Sequence, residues 1–299
     1  MQNKCMKPGP IVIGGVGGSG TRVVAEILSS LGFYIGNDLN EASDNLLFTL
    51  LLKRPRWFLA NHKNNAEIET GIGLFHKLMT GCDRLNAAEW RFLLQACGSM
   101  ALHGNNVGGT GRGPWVVRRI VKLITQRSGY NSGHLGWGWK EPNSHLFIEN
   151  LANSFAGFKY IHTIRNGLDM AFSKNQQQLY NWGSLHHVPR PTTPQDEPAA
   201  SFKYWVRANQ QVTRIGEQLG EDRFLLINFD ELCLSPKPWV DKIIAFLGID
   251  ADGTRYQQAL TLPKTPKSMG RHKAHDMGQF DPNDLATLEG LGFPPVDPT

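Results

Sequence analysis

The sequence has no apolar run of the roughly eighteen residues that a membrane-spanning helix needs. Its N-terminal stretch carries Lys4 and Lys7 and then enters a short apolar run and a glycine-rich segment, with no cleavage-site pattern, so neither a signal peptide nor stable membrane insertion is expected. Cysteine is scarce. The four residues Cys5, Cys82, Cys97 and Cys233 are widely spaced and form no C-x-x-C pair, which argues against a disulfide framework and against a cysteine zinc site. A reducing cytoplasm is the compartment such a chain suggests. Long charge blocks are missing too: 31 Lys and Arg against 26 Asp and Glu leave a net charge of +5, scattered along the chain. That balance suits an anionic ligand without requiring nucleic acid, and most of the basic side chains are expected to be solvated.

With 40 % hydrophobic residues over 299 positions, the chain can bury a large core, and one domain is expected. No fixed-period repeat is visible. The segments 104–113, rich in glycine, and 189–198, rich in Pro and Thr, read as surface loops. Strands are predicted over 10–13, 158–164 and 224–229, where β-branched and aromatic residues concentrate. Helices are predicted over 42–53, 87–98, 168–179, 200–219 and 239–247, and a further helix follows the first glycine-rich segment, with Gly32 closing it. Strands separated by helices predict an α/β fold with a mainly parallel sheet flanked by helices on both faces.

The segment Gly14-Gly15-Val16-Gly17-Gly18-Ser19-Gly20-Thr21-Arg22 lies between the first strand and the first helix. Glycines there let backbone N–H groups turn inward around a phosphate, and the helix N-terminus adds positive potential. Spacing alone leaves several readings open. Gly15-x-x-x-x-Gly20 has the spacing of a nucleoside triphosphatase loop, but Thr21 stands where that loop has Lys. Gly15-x-Gly17-x-x-Gly20 also satisfies the dinucleotide pattern, yet no acidic residue ends a second strand about twenty residues on. A purely structural turn is the third possibility.

A second motif narrows the choice. The strand ending at Ile164 is followed by Arg165-Asn166-Gly167-Leu168-Asp169-Met170-Ala171-Phe172-Ser173. An Arg fork at a strand end and a hydroxyl two turns into the next helix can converge on one phosphate. Asp169 suits the first turn of that helix. Together the two segments resemble the nucleotide-binding motifs of the sulfotransferase superfamily, which has a P-loop-like fold and uses 3′-phosphoadenosine 5′-phosphosulfate (PAPS) as donor. Gly17, Gly18, Ser19, Gly20, Thr21 and Arg22 resemble the 5′-phosphosulfate loop, closest to the Lys-Gly-Gly-Thr-Arg form, with Gly18 where that form has Lys. Arg165 and Ser173 resemble the 3′-phosphate pair, and Ser268-Met269-Gly270-Arg271 resembles the late element that closes over the nucleotide. Arg271 is therefore a further candidate for the 3′-phosphate, and Lys273 a lesser one. The segment 224–232 and the helix after it match the superfamily's late strand and helix, whereas about 58–133 reads as a helical and loop insertion.

The resemblance implies a sulfotransferase moving a sulfuryl group from PAPS to a hydroxyl or amine, with no metal. Trp137-Gly138-Trp139-Lys140-Glu141-Pro142 resembles the strand end whose Lys contacts the transferring group, so Lys140 is the expected electrostatic stabiliser. For the base, a carboxylate about twenty residues after the loop is expected, and that spacing lands between Asp38 and Glu41. Glu41 is favoured, then Asp38 and Asp44, while Glu141 beside Lys140 is a further option. The paired histidines His186-His187 and His272-x-x-His275 read as loop histidines, since no third metal ligand is near them in sequence. The acceptor class stays open among carbohydrate, small alcohol, lipid and peptide. A P-loop kinase or hydrolase, or a non-catalytic nucleotide binder, are the alternatives.

Overall fold

A computed structural model describes residues 9–81, 84–125, 129–131 and 133–295. Cys5 and Cys82 lie outside these residues, whereas Cys97 and Cys233 are free thiols. Among the described residues five strands form a sheet in the order β2 (Phe33–Tyr34), β3 (Gly136–Lys140), β1 (Ile11–Gly14), β4 (Lys159–Ile164), β5 (Phe224–Asn228), flanked by helices. The α/β architecture expected from the sequence is the observed one. By compactness the chain forms two units. One contains the segment ending at Gly14 and Val24–Tyr160, and the other contains Gly15–Val23 and the chain from Ile161 onward.

The first unit holds β1 (Ile11–Gly14), most of α1 (Thr21–Ser30), β2 (Phe33–Tyr34), α2 (Leu46–Leu51), α3 (Pro55–Asn61), α4 (Asn65–Thr80), α5 (Ala87–His103), α6 (Gly113–Thr125), β3 (Gly136–Lys140), α7 (Ile148–Ser154) and the start of β4 (Lys159–Ile164). β1 and β2 each pair in parallel with β3; Ile13 is opposite Lys140, and Tyr34 is opposite Trp137. Every residue of β1 and β3 is buried, as expected for strands covered on both faces. On α1, Val24, Ala25, Ile27 and Leu28 are all fully buried, and Gly32 follows the helix with φ 98°. Trp139 anchors the core: its ring packs edge-on against Phe75 at 4.8 Å and stacks on Phe48, and its indole N–H donates to Ser144 Oγ at 3.1 Å. The predicted insertion is mostly helical, supplying α4, α5 and α6.

The second unit holds most of β4, then α8 (Gly167–Ala171), α9 (Gln177–Trp182), α10 (Glu197–Leu219), β5 (Phe224–Asn228), α11 (Phe229–Leu234), α12 (Pro236–Leu247), α13 (Gly253–Thr261) and α14 (Pro282–Gly290). The 23-residue α10 buries Phe202, Trp205, Asn209, Val212 and Gly216 along one side. His162 of β4 is held from that helix by a 2.9 Å hydrogen bond to Asn209 Oδ1.

Two predicted helices differ from those observed. The helix predicted over 42–53 begins only at Leu46, because Asn40 Oδ1 accepts the N–H groups of Ala42 (2.9 Å) and Asp44 (2.8 Å) and Ser43 adopts φ 62°. Asn45 then caps α2 through a bond from the Phe48 N–H. The helix predicted over 168–179 breaks into α8 and α9. Its last carbonyls are taken by side chains: Gln176 Nε2 donates to Met170, Ala171 and Ser173 carbonyls, and Arg271 Nη1 donates to Phe172 O at 3.1 Å. Ser173 therefore lies just beyond a five-residue helix, not two turns into a longer one.

The expectation of solvated basic side chains also has exceptions in Arg54, Arg119 and Arg165, each under 10 % exposed. Arg54 lies 4.3 Å over the Trp57 ring and donates through Nε to Leu51 O. Burial lowers its pKa to about 10, against the opposing fields of Glu67 and Cys97.

Candidate active site

The glycine loop lies in the same compact unit as the Arg165 motif. Gly18 and Gly20 have φ of 75° and 83°, a region that side-chain-bearing residues rarely adopt, and a methyl on Gly20 would run into the Phe229 ring. A methyl on Gly15 would collide with Ser19 Oγ and the Thr163 carbonyl. The loop is thus wrapped tightly between β4 and α11, and the chain then enters the ten-residue α1 at Thr21. Ser19 is 1 % exposed, and its hydroxyl has no hydrogen-bond partner. A buried, unsatisfied hydroxyl in a glycine loop at a helix start fits a phosphate oxygen as its missing partner.

Arg165 at the end of β4 is 8 % exposed and sits in a dense polar cluster. Its Nη2 donates to Ser268 Oγ at 2.9 Å and lies 3.6 Å from Asp169 Oδ2, while its Nε is 3.7 Å from Asp230 Oδ1 without a hydrogen bond. Asp230 in turn accepts the Asn166 N–H at 3.0 Å. Burial raises the Asp230 pKa, in opposition to the Asn166 N–H and the Arg165 charge.

Asp169 has a larger role than starting a helix. Its carboxylate accepts the Gly270 N–H at 2.7 Å, the His272 N–H at 3.0 Å and the His272 imidazole Nδ1–H at 2.7 Å. It thereby pins the turn that carries Ser268 and Arg271 against α8. Burial pushes its pKa up, but the hydrogen bonds from His272 and Gly270 outweigh that, and the net shift is downward.

These contacts bring together Arg165, Ser268 and Arg271, and Ser173 follows Phe172, whose carbonyl Arg271 caps. Ser173 Oγ accepts the Asn175 N–H at 3.3 Å, and Arg271 reaches the end of α8. Arg22 is exposed at the second position of α1, and Lys273 is also exposed. Gln178 escaped the sequence reading, and so did the bonds that Asp169 and Ser268 make. Asp169 and Ser268 act through partners about a hundred residues distant, and Gln178 accepts the Gly17 N–H at 2.7 Å.

The expected catalytic side chains belong to the first unit. Lys140 is buried at the end of β3, where its ammonium pairs with Asp44 and donates to the Ala42 carbonyl at 2.8 Å. Asp44 is thereby occupied. Asp38 is clamped by Arg119 and Lys122, each at 2.7 Å. Glu141 is fully buried, accepts the Asn143 N–H at 2.6 Å and pairs with Lys53 at 3.1 Å, so it serves as a cap. Glu41 is exposed and makes no hydrogen bond or ion pair among the described residues. His145 is pushed down to a pKa of about 4 by burial, despite a bond from its ring to Pro142 O, and stays neutral. Trp137, Trp139, Trp182 and Trp205 are core residues. Among the described residues no three His, Cys, Asp or Glu side chains are grouped to hold a metal ion. No helix among them is long and apolar enough to cross a membrane.

The model of the sulfotransferase family matches residues 10–253, which include the glycine loop, the Arg165 segment and the five strands. The chain belongs to the sulfotransferase family. Among solved structures, this sulfotransferase resembles one from Alicyclobacillus acidocaldarius at 17 % identity and a TM-score of 0.45, with 95 % of each chain covered. It also resembles STF1 from Mycobacterium tuberculosis H37Rv at 16 % identity and a TM-score of 0.41, covering 86 % of this chain and 71 % of that one. The sulfotransferase domain of the Synechococcus PCC 7002 olefin synthase aligns at 16 % identity and a TM-score of 0.41, covering 100 % and 88 %. No curated protein sequence matches the chain.

Proposed function

We propose that this sulfotransferase takes its sulfuryl group from PAPS and passes it to a hydroxyl or amine of an acceptor. PAPS supplies sulfur activated as a phosphosulfate anhydride. In the transfer, the acceptor oxygen or nitrogen forms a bond to sulfur while the bond to the bridging oxygen breaks. The acceptor proton leaves to a base, and the departing electron pair stays on the phosphate.

One observation carries the reading: the glycine loop with its unsatisfied Ser19 hydroxyl and the Arg165–Ser268–Arg271 cluster occur in one compact unit. In this reading the loop N–H groups, Ser19 and Thr21 hold the 5′-phosphate, with Arg22 adding charge. Arg165, Ser173 and Arg271 hold the 3′-phosphate. Lys140 contributes a fixed positive charge, kept in place by Asp44. Glu41 is the base, because its carboxylate is the one in 38–44 that no other side chain occupies. Asp38 is the second choice.

Two measurements test this. In a thermal-shift comparison of adenosine 3′,5′-bisphosphate, ATP with Mg²⁺, and NAD, the bisphosphate is expected to stabilise the protein most; at 100 times its Kd the gain is about 2.7 kcal/mol. Stabilisation by ATP with Mg²⁺ and none by the bisphosphate would point to a kinase or hydrolase. Glu41→Gln is expected to cut turnover by about 100-fold or more while leaving bisphosphate affinity unchanged. Full activity in that variant would remove Glu41 from the base role.

A further inference from the structure

The loop of this chain has Gly18 where the resembling loops carry a lysine, and Gly18 is exposed, with Met170 where a side chain would begin. Lys140 has its own carboxylate partner. Beside the charges of Lys140 and Arg22, the negative oxygens of the transferring group leave room for a directional neutral donor. We propose that Gln178, on α9, fills this place and donates from its amide nitrogen to the sulfuryl oxygens of the bound donor. This rests on the PAPS reading and names a residue that the motifs did not.

The geometry around Gln178 fixes which way its amide faces. Oε1 accepts the Gly17 N–H at 2.7 Å and the Tyr204 hydroxyl at 3.3 Å. Tyr204 is buried, and burial pushes its phenol pKa well up, so the O–H remains a donor. A backbone N–H can be met only by the carbonyl end of the amide, so Nε2 occupies the other end with both hydrogens. The hydrogen bonds of Gln178 to the described residues are both made by Oε1, and Nε2 makes none. The amide also lies directly on the loop: a methyl on Gly17 would sit 3.0 Å from Gln178 Cδ and 3.1 Å from Nε2. Gly17 is thus small so that Gln178 can approach, a separate need from the left-handed turns at Gly18 and Gly20.

A preoriented amide resembles the Asn and backbone donors that stabilise oxyanions in acyl transfer, where loss of one donor costs about 100-fold in rate. It supplies hydrogen bonds without a charge, so it contributes less long-range attraction than a lysine but keeps a defined direction. Adenosine 3′,5′-bisphosphate shares the phosphates of PAPS and lacks only the sulfate, so the pair isolates the contact at issue.

The experiment is calorimetric titration of the wild type, Gln178→Met, Gln178→Glu and Tyr204→Phe with PAPS and with the bisphosphate, without acceptor, plus urea unfolding of each. Gln178→Glu keeps the oxygen that Gly17 and Tyr204 address and replaces the two N–H donors with an anionic oxygen. The expected result is that the wild type binds both nucleotides and that Gln178→Met and Gln178→Glu lose about tenfold or more in PAPS affinity relative to the bisphosphate. Tyr204→Phe should move the same ratio by a smaller factor, because it loosens the amide without removing it. An unchanged ratio in Gln178→Met and Gln178→Glu overturns the proposal. So does an equal loss for both nucleotides, since Gln178 would then only support the loop. A wild type that binds neither nucleotide overturns the PAPS reading instead.

Discussion

Arg165→Ala is expected to raise the dissociation constant for adenosine 3′,5′-bisphosphate by about 30- to 1,000-fold, equivalent to roughly 2–4 kcal/mol of lost charge-assisted hydrogen bonding. The side chain is 10 % exposed and is the one guanidinium of the cluster that Ser268, Asp169 and Asp230 all surround. Removing it also leaves two carboxylates, Asp169 and Asp230, without their shared cation, so some folding stability is lost with it. Arg165→Lys separates the two effects. It keeps a positive charge between the carboxylates but loses the planar fork, and its affinity should fall to an intermediate value while its unfolding midpoint stays nearer the wild type. Titration calorimetry of both variants, with urea unfolding as the control, is the measurement. Wild-type affinity in a folded Arg165→Ala protein would sink the 3′-phosphate assignment.

Asp169→Ala is expected to cost about 3–5 kcal/mol of unfolding free energy, read from urea titration, because it strands several buried donors at once. The Gly270 N–H, the His272 N–H and the His272 ring N–H all lose their acceptor, and Arg165 loses a neighbouring charge. Bisphosphate affinity should fall too, since the turn bearing Ser268 and Arg271 is no longer tied to α8. The pH dependence has a defined sign. The Asp169 pKa is lowered in the folded protein, with the His272 and Gly270 hydrogen bonds overcoming the upward push of burial. Its stabilisation is therefore fully present above the unfolded-state pKa of about 3.9 and is lost as pH falls through the lower folded value. The stability gap between wild type and Asp169→Ala should be constant from about pH 5 to 7 and close only below about pH 4. A gap that is already closing at pH 6 would mean that another group supplies the effect.

How far the sequence revealed the fold depended on whether the cause of each element was local. β1, β4 and β5 were legible because their β-branched and aromatic residues are contiguous, and α10 was legible because its apolar stripe repeats over 23 residues. The break after Ala171 was not, because the groups that end α8 are the Gln176 amide and the Arg271 guanidinium, the latter 99 residues from the carbonyl it caps. The late start of α2 had a local signal, since Asn40 and Asn45 both favour turns and caps, but the apolar run after them masked it. At the site, the glycines and the Arg165 motif were readable as patterns. What Asp169 and Gln178 do depends on partners 103 and 161 residues away, and nothing near either residue announces it.

The nine residues Gly15–Val23 precede by far in the chain the groups that enclose them, Thr163, Met170, Gln178 and Phe229. Closing so long a stretch carries an entropic cost of about 4 kcal/mol on a simple polymer estimate. A nascent chain lacking its C-terminal half would have the glycines and no cradle. Competence to capture nucleotide should thus arise late in folding, and a fragment beginning at Ile161 would need the loop supplied as a separate peptide.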